Sequence, residues 1–309
     1  MMKLTRHSKD PVLEPRRDHP WEKDAVLNTA VVYNDGKFHL LYRAVAHNPD
    51  DLNRSSIGYA WSSDGLNFDR LPQPVLAPGE AAEESKGVED PRVTPLNDAY
   101  YMCYTAWNGK HSQVGLATST DLRHWTRQGI MLKYSMFGHN KNAALFASKI
   151  DGRYALLHRP MGFGNFFELP ADIPMNIMLS FSDDLWNWTD HRILMDVRPG
   201  MWDERKIGIA GPPIFTPQGW LLVYHGVDFQ TTYRLGIALL DLDDPTKVIR
   251  RQREPILEPL TEWEVKGDVP NVVFSCGAVL LDDELWVYYG GADTVIGLAR
   301  GSVREFLHG

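Results

Sequence analysis

One short pattern recurs along the chain and limits what it can fold into: Gly58-Tyr-Ala-Trp-Ser-Ser-Asp-Gly-Leu-Asn-Phe68, Gly115-Leu-Ala-Thr-Ser-Thr-Asp-Leu-Arg-His-Trp125 and Met178-Leu-Ser-Phe-Ser-Asp-Asp-Leu-Trp-Asn-Trp188. Gly236-Ile-Ala-Leu-Leu-Asp-Leu-Asp-Asp244 and Gly297-Leu-Ala-Arg-Gly-Ser302 are weaker copies, so five begin at 58, 115, 178, 236 and 297. A period of roughly 60 residues belongs to stacked or circular repeat folds. Ahead of each copy stand an apolar run, a turn and a second alternating run, as in Asn28 to Tyr33, Asn34-Asp35-Gly36 and Phe38 to Arg43. The Asp-Gly pair signals a hairpin, because glycine takes positive φ at little cost. The equivalent stretches run from Asp90 to Trp107, Asn142 to Arg159, Gly211 to His225 and Cys276 to Asp293.

Each repeat thus supplies three strands and needs a fourth at its edge. Pro74-Val-Leu-Ala-Pro78 and Pro255-Ile-Leu-Glu-Pro259 follow the third strand of their repeats, and Pro11-Val-Leu-Glu-Pro15 echoes them with no repeat before it. The economical arrangement gives that first segment to the last repeat. The expected fold is all-β: a five-bladed β-propeller with four-stranded blades, residues 1–309 as a single catalytic domain, the ring closed by the N-terminal strand so that no sheet edge stays open. An open sandwich is the alternative, but it does not require so regular a period. No long helical pattern is visible.

Composition narrows the function. With 43% hydrophobic and 11% aromatic residues the chain can build a core, and 32 Lys plus Arg against 40 Asp plus Glu leave no basic surplus for nucleic acid. Cys103 and Cys276 lie far apart in apolar runs and read as reduced core residues. Met1 to Pro20 is charged throughout, and no stretch reaches membrane-spanning length, so a cytoplasmic protein with no membrane partner is expected. The histidines are scattered, which argues against a metal site.

In a propeller the first strand of each blade lines the axis, so polar residues at equivalent places should converge at one end of it. Asn28, Asp90 with Arg92, Lys141 with Asn142, and Lys206 stand at or near the starts of first strands. Arg43, Trp107, His158 with Arg159, His225 and Asp293 stand near the ends of second strands. Any one of these is ordinary at a strand end; the set predicts a polar axial pocket. Arg43, Lys141, Arg159, Lys206 and His225 against few carboxylates suggest an anionic ligand. Alternation along a strand lets only one of Glu89 and Asp90 face the axis, and alignment with Asn28 and Asn142 selects Asp90. An inverting glycosidase needs an acid and a second carboxylate to activate water. Asp293 is the best candidate for the second, though it could equally hold sugar hydroxyls, and Asp203 and Glu204 are others. If phosphate attacks instead, no base is needed.

Gly87-Val-Glu-Asp-Pro-Arg92, Lys141-Asn-Ala-Ala-Leu-Phe146, Tyr154-Ala-Leu-Leu-His-Arg-Pro160, Lys206-Ile-Gly with Gly211-Pro-Pro-Ile214, Trp220-Leu-Leu-Val-Tyr-His-Gly226 and Tyr288-Tyr-Gly-Gly-Ala-Asp293 together resemble glycoside hydrolase family 130, the mannoside phosphorylases and β-mannosidases, over nearly the whole chain. The resemblance implies inverting phosphorolysis of β-1,2- or β-1,4-mannooligosaccharides to α-D-mannose 1-phosphate, with inorganic phosphate as co-substrate and no cofactor. It implies Asp90 as the general acid, its proton passing through a mannosyl hydroxyl. Arg159, Lys206 and His225 match phosphate-binding positions, Lys141 stands where some members carry Arg, and Asn28, Arg43, Asn142 and Asp293 match places that contact sugar or shape the site. Trp107 and Phe163 are candidates for stacking on sugar faces, and the loop Phe163 to Ile173 for deciding linkage. Neighbouring subunits of a homo-oligomer could wall the acceptor site. The alternatives are a β-mannosidase using water and a noncatalytic sugar-binding propeller.

Overall fold

The computed structural model describes residues 1–48, 51–170 and 173–309. Its strands fall into antiparallel units that follow the repeat. The first holds β2 (Ala25–Asn34), β3 (Lys37–Asn48), β4 (Asp51–Ser62) and β5 (Asp69–Arg70), and the second β6 (Gly87–Leu96), β7 (Ala99–Trp107), β8 (Ser112–Ser119) and β9 (Thr126–Leu132). A parallel contact between Ser55 and Gly87 joins these two into one sheet. The third holds β10 (His139–Leu145), β11 (Tyr154–Gly162), β12 (Ile177–Ser182) and β13 (Trp188–Met195). In the fourth, Gly211-Pro212-Pro213 divides the inner strand into β14 (Lys206–Ile209) and β15 (Ile214–Thr216), both paired with β16 (Gly219–Val227), followed by β17 (Tyr233–Leu240) and β18 (Val248–Arg251). Proline lacks the N–H a ladder requires, which accounts for the break.

The last unit is β19 (Val273–Leu281), β20 (Glu284–Gly291) and β21 (Val295–Ser302), and its outer strand is β1 (Thr5–Arg6), with Thr5 opposite Arg300. The N-terminal segment therefore does complete the last unit, but through Thr5–Arg6 rather than through Pro11 to Pro15. The three Pro-rich segments share a smaller role: Leu13, Leu76 and Leu257 each form one antiparallel bridge, to Ile296, Ile57 and Leu235. Their flanking prolines keep them from extending into ladders.

Period-two alternation supplies both faces of every unit. Leu41 and Ile57 pack with Val88, Val93 and Met102 of the next unit, while Leu40, Tyr42 and Ala60 pack with Tyr288 and Leu298 of the last. Similar apolar clusters lie between the second and third, third and fourth, and fourth and fifth units. Cys103 and Cys276 are buried and unpaired.

A polar tie recurs at the edge of four units. A buried carboxylate just before the unit accepts from a tyrosine hydroxyl of the second strand and from an arginine of the outer strand. Tyr42 Oη and Arg70 Nη1 donate to Glu22 at 2.7 and 3.2 Å; Tyr104 and Arg127 meet Glu84; Tyr224 and Arg251 meet Asp203 at 3.1 and 2.6 Å; Tyr289 and Arg6 meet Glu264, each at 2.7 Å. Each carboxylate is buried with charged and hydroxyl donors around it, the condition under which a buried charge is tolerated. The tyrosine lies flat over a glycine of the third strand: a Cβ on Gly58 would stand 2.3 Å from Tyr42, and one on Gly115 2.4 Å from Tyr104. The glycine of the repeat is thus a packing requirement. In the third unit His158 replaces the tyrosine and Met178, opposite it in register, the glycine. There His158 bonds to Asn140 at 2.9 Å and to Ser180 at 2.8 Å, and Ser180 to His191 at 2.8 Å.

Candidate active site

Inner strands β2, β6 and β10 each carry a bulge at the same place. The register shifts between Leu27 and Ala30, Glu89 and Arg92, and Lys141 and Ala144. At the bulge Asn28, Asp90 and Asn142 take left-handed backbone, φ 48°, 52° and 55°. Asn and Asp tolerate this region better than other side-chain-bearing residues, which fits the residue types found there. The bulge re-aims side chains, and with it the simple alternation fails: Glu89 and Asp90 both reach Arg43, whose Nη2 donates to Glu89 Oε1 at 3.0 Å and whose Nη1 donates to Asp90 Oδ1 at 3.4 Å. Of the two, Asp90 lines the cavity and Glu89 does not.

These residues line a cavity of about 190 Å³, with Asn28, Arg43, Asp90, Lys141, Asn142, Arg159, Lys206 and Asp293 on its walls. Sequence reasoning missed six more on its wall, Met161, Phe166, Tyr233, Val269, Val272 and Phe274, and Glu89 just behind. Phe166 comes from the segment between β11 and β12, where no periodicity marks it, and Tyr233 is the first residue of β17. Trp107 does not line the cavity; it backs Phe166, ring centres 5.2 Å apart, and Phe166 lies over Lys141 at 4.9 Å. The loop Phe163 to Ile173 begins at this wall, and its residues 171 and 172 lie outside the described ones. Asp203 is not at the cavity but in the fourth unit's tie, and Glu204 accepts from the backbone N–H of Gly200.

The charges divide into two groups. Arg43 and Lys141 are paired, Lys141 Nζ lying 3.1 Å from Glu89 Oε2. Arg159 and Lys206 have no carboxylate partner among the described residues. Arg159 is buried; its Nη1 donates to His225 Nε2 at 3.0 Å, its Nη2 faces Met161 Sδ at 3.7 Å, and its Nε has no partner. Burial lowers its pKa to about 10, so it remains charged at neutral pH. Lys206 donates to the Tyr233 hydroxyl, and burial with the nearby Arg159 charge lowers its pKa to about 7. His225 departs from the expected cationic role: it is fully buried and off the cavity wall, and burial beside Arg159 and Arg92 holds it neutral. A neutral imidazole can accept from Arg159 and so orients that guanidinium.

The carboxylates also differ from expectation, which had few of them and a protonated Asp90. Burial would raise the Asp90 pKa, but Arg43, Lys141 and Arg92 together with the 2.9 Å bond from Asn28 Nδ2 hold it below the ordinary value. Asp293 moves the other way. Burial raises its pKa to about 6, and Asp90 adds to this while Arg43 opposes it. Two carboxyl groups of one pocket thereby have different proton affinities, the arrangement from which acid and base roles arise. Asn28 Oδ1 and Asn142 Oδ1 are buried on the wall without partners among the described residues. Such a site offers amide and carboxyl groups for sugar hydroxyls beside two uncompensated cations for an anion.

Residues 3–308 match the family model described as beta-1,4-mannooligosaccharide phosphorylase, and the chain belongs to that family, glycoside hydrolase family 130. It is 47% identical over 305 residues to a 1,2-beta-oligomannan phosphorylase and 49% identical over 312 residues to a beta-1,2-mannobiose phosphorylase, both of a Thermoanaerobacter species, each covering 97% of both chains. The solved beta-1,2-mannobiose phosphorylase of Listeria innocua, in complex with beta-1,2-mannobiose, superposes with a TM-score of 0.87 at 29% identity over 99% of each chain.

Proposed function

We propose that the protein is an inverting phosphorylase of β-1,2-mannobiose and short β-1,2-mannooligosaccharides that releases α-D-mannose 1-phosphate. The observation that carries this reading is the pair of cations, buried Arg159 and partly buried Lys206, facing the cavity with no carboxylate to neutralise them among the described residues. Buried charge is costly unless paired, and a phosphate dianion supplies the missing partner. The linkage follows the names of the relatives at 47% and 49% identity.

In this reading the mannosyl unit sits against Asn28, Arg43, Asn142 and Asp293, and phosphate rests on Arg159 and Lys206 with the Tyr233 hydroxyl beside them. His225 holds Arg159 in place, and Lys141 lends charge at the border of the two sites. Phosphate attacks the anomeric carbon as the bond to the leaving sugar breaks; Asp90 delivers the proton to the departing oxygen, through a mannosyl hydroxyl. Asp90 is ionised in the ligand-free site, so its proton affinity must rise on binding: phosphate offsets the neighbouring positive field and the sugar displaces water. In-line positioning and neutralised repulsion are the main contributions to rate. The five units act as blades of one propeller spanning residues 1–309, supported by consecutive packing that returns from the last unit to the first, and the enzyme works in the cytoplasm.

Asp293 favours a second reading, hydrolysis, because a carboxyl group of pKa about 6 could activate water. Purified protein given β-1,2- or β-1,4-mannobiose, with and without millimolar phosphate, separates the two. Phosphate-dependent mannose 1-phosphate, faster from the β-1,2 isomer, is expected. Free mannose in either buffer would establish hydrolysis. Asp90→Asn should still bind mannobiose yet lose turnover; full activity in that variant would remove Asp90 from the chemistry.

A further inference from the structure

Arg92 lies two residues beyond Asp90 on β6 and is only 1% exposed. No carboxylate stands within ion-pair distance of it among the described residues. Its guanidinium instead donates to three main-chain carbonyls: Nη1 to Asp90 at 2.9 Å, Nε to Ala210 at 2.8 Å and Nη2 to Ile209 at 3.1 Å. Its outer face lies 5.9 Å from the centre of the Phe274 ring. A buried guanidinium is expensive, and the planar fork is retained here because three separate acceptors satisfy it.

The positions of those acceptors give the residue a purpose. Asp90 stands in left-handed backbone and is followed by Pro91, which narrows the conformations open to it. Its carbonyl is the one Arg92 holds. Ile209 closes β14 and Ala210 follows it; that strand opens with Lys206, and its Gly208 lies opposite His225, the support of Arg159. One side chain thus ties the turn that presents Asp90 to the strand at the anion site, across 118 residues of sequence.

We propose that Arg92 is a positioning residue, holding Asp90 at its working distance from the Arg159–Lys206 anion site. This rests on the phosphorolysis reading above. Lysine at 92 would keep the charge but could not span three carbonyls on two strands, and glutamine would keep neither charge nor fork.

The test compares wild type with Arg92→Lys and Arg92→Gln, each checked for folding by thermal melting, on β-1,2-mannobiose and on β-mannosyl fluoride, whose leaving group departs without needing a proton. Both variants should lose roughly 10- to 100-fold in kcat on mannobiose, the scale expected for a misplaced catalytic group. Their KM values for mannobiose and phosphate should stay within about threefold of wild type, and their rates on the fluoride should stay close to wild type. Folded variants with near-wild-type kcat on mannobiose, or equal losses on both substrates, would overturn the assignment. Loss of the fold in both would overturn it as well, leaving Arg92 a stabilising residue alone. Failure of wild type to make mannose 1-phosphate would count against the reaction and not against the tie.

Discussion

Lys206 carries an amine whose charge is in play near neutrality, because burial and the adjacent Arg159 lower its pKa to about 7. The charged form exists below that pH and is lost as pH rises through it, so its contribution to phosphate binding should fade on the alkaline side. Phosphate's own second ionisation lies in the same range but is common to wild type and variant. The ratio of dissociation constants, Lys206→Met over wild type, should therefore be largest near pH 6 and shrink by about tenfold by pH 8.5. Calorimetric titration with phosphate measures it, and a ratio independent of pH would mean that Lys206 keeps its proton throughout. At this scale much of the site was readable in advance: Asn28, Asp90 and Asn142 fall at equivalent points of the repeat and do meet at one cavity. The bulge was not readable. Side-chain alternation is a rule for an unbroken ladder, and the left-handed residue that breaks it is chosen by backbone geometry that neighbouring letters do not reveal. The reach of Glu89 to Arg43 and Lys141 was missed for that reason.

The strand elements explain why the repeat looks as it does. Gly58, Gly115, Gly236 and Gly297 recur because a tyrosine ring covers each, pinned through its hydroxyl to a buried carboxylate. Gly58→Ala should destabilise the protein by about 2–3 kcal/mol in urea unfolding, the scale of overpacking in a closed core. Tyr42 cannot swing aside without leaving Glu22, and an unchanged unfolding midpoint would show that it can. Two of the hairpins were legible because Asp35-Gly36 and Asp151-Gly152 punctuate them. The ties were less so, since their partners come from three separate segments; yet Trp21-Glu22, Trp202-Asp203 and Trp263-Glu264 repeat a visible dipeptide, with each indole stacked on the tyrosine of its unit. The outer strands were misread because the Pro-rich segments are more alike in sequence than the short strands beside them.

For the molecule as a whole, the first residues matter out of proportion to their number. Met2, Leu4 and Leu13 are buried, and Arg6 completes the tie at Glu264. Deleting residues 1–15 should lower the melting temperature by at least about 10 °C, given roughly 2–4 °C per kcal/mol in a chain of this size. An unchanged melting temperature would show that the last unit holds without them. The pairing of Thr5 with Arg300 also has a consequence in time. A ribosome adds roughly 5–20 residues per second, so the opening segment emerges some tens of seconds before the strand it joins. Through that interval four units can settle while the fifth cannot, and the chain's beginning waits as an unpaired edge. The last unit thus cannot be completed until β21 has emerged, and a ribosome stalled before it would leave Thr5 and Arg6 without their strand partner.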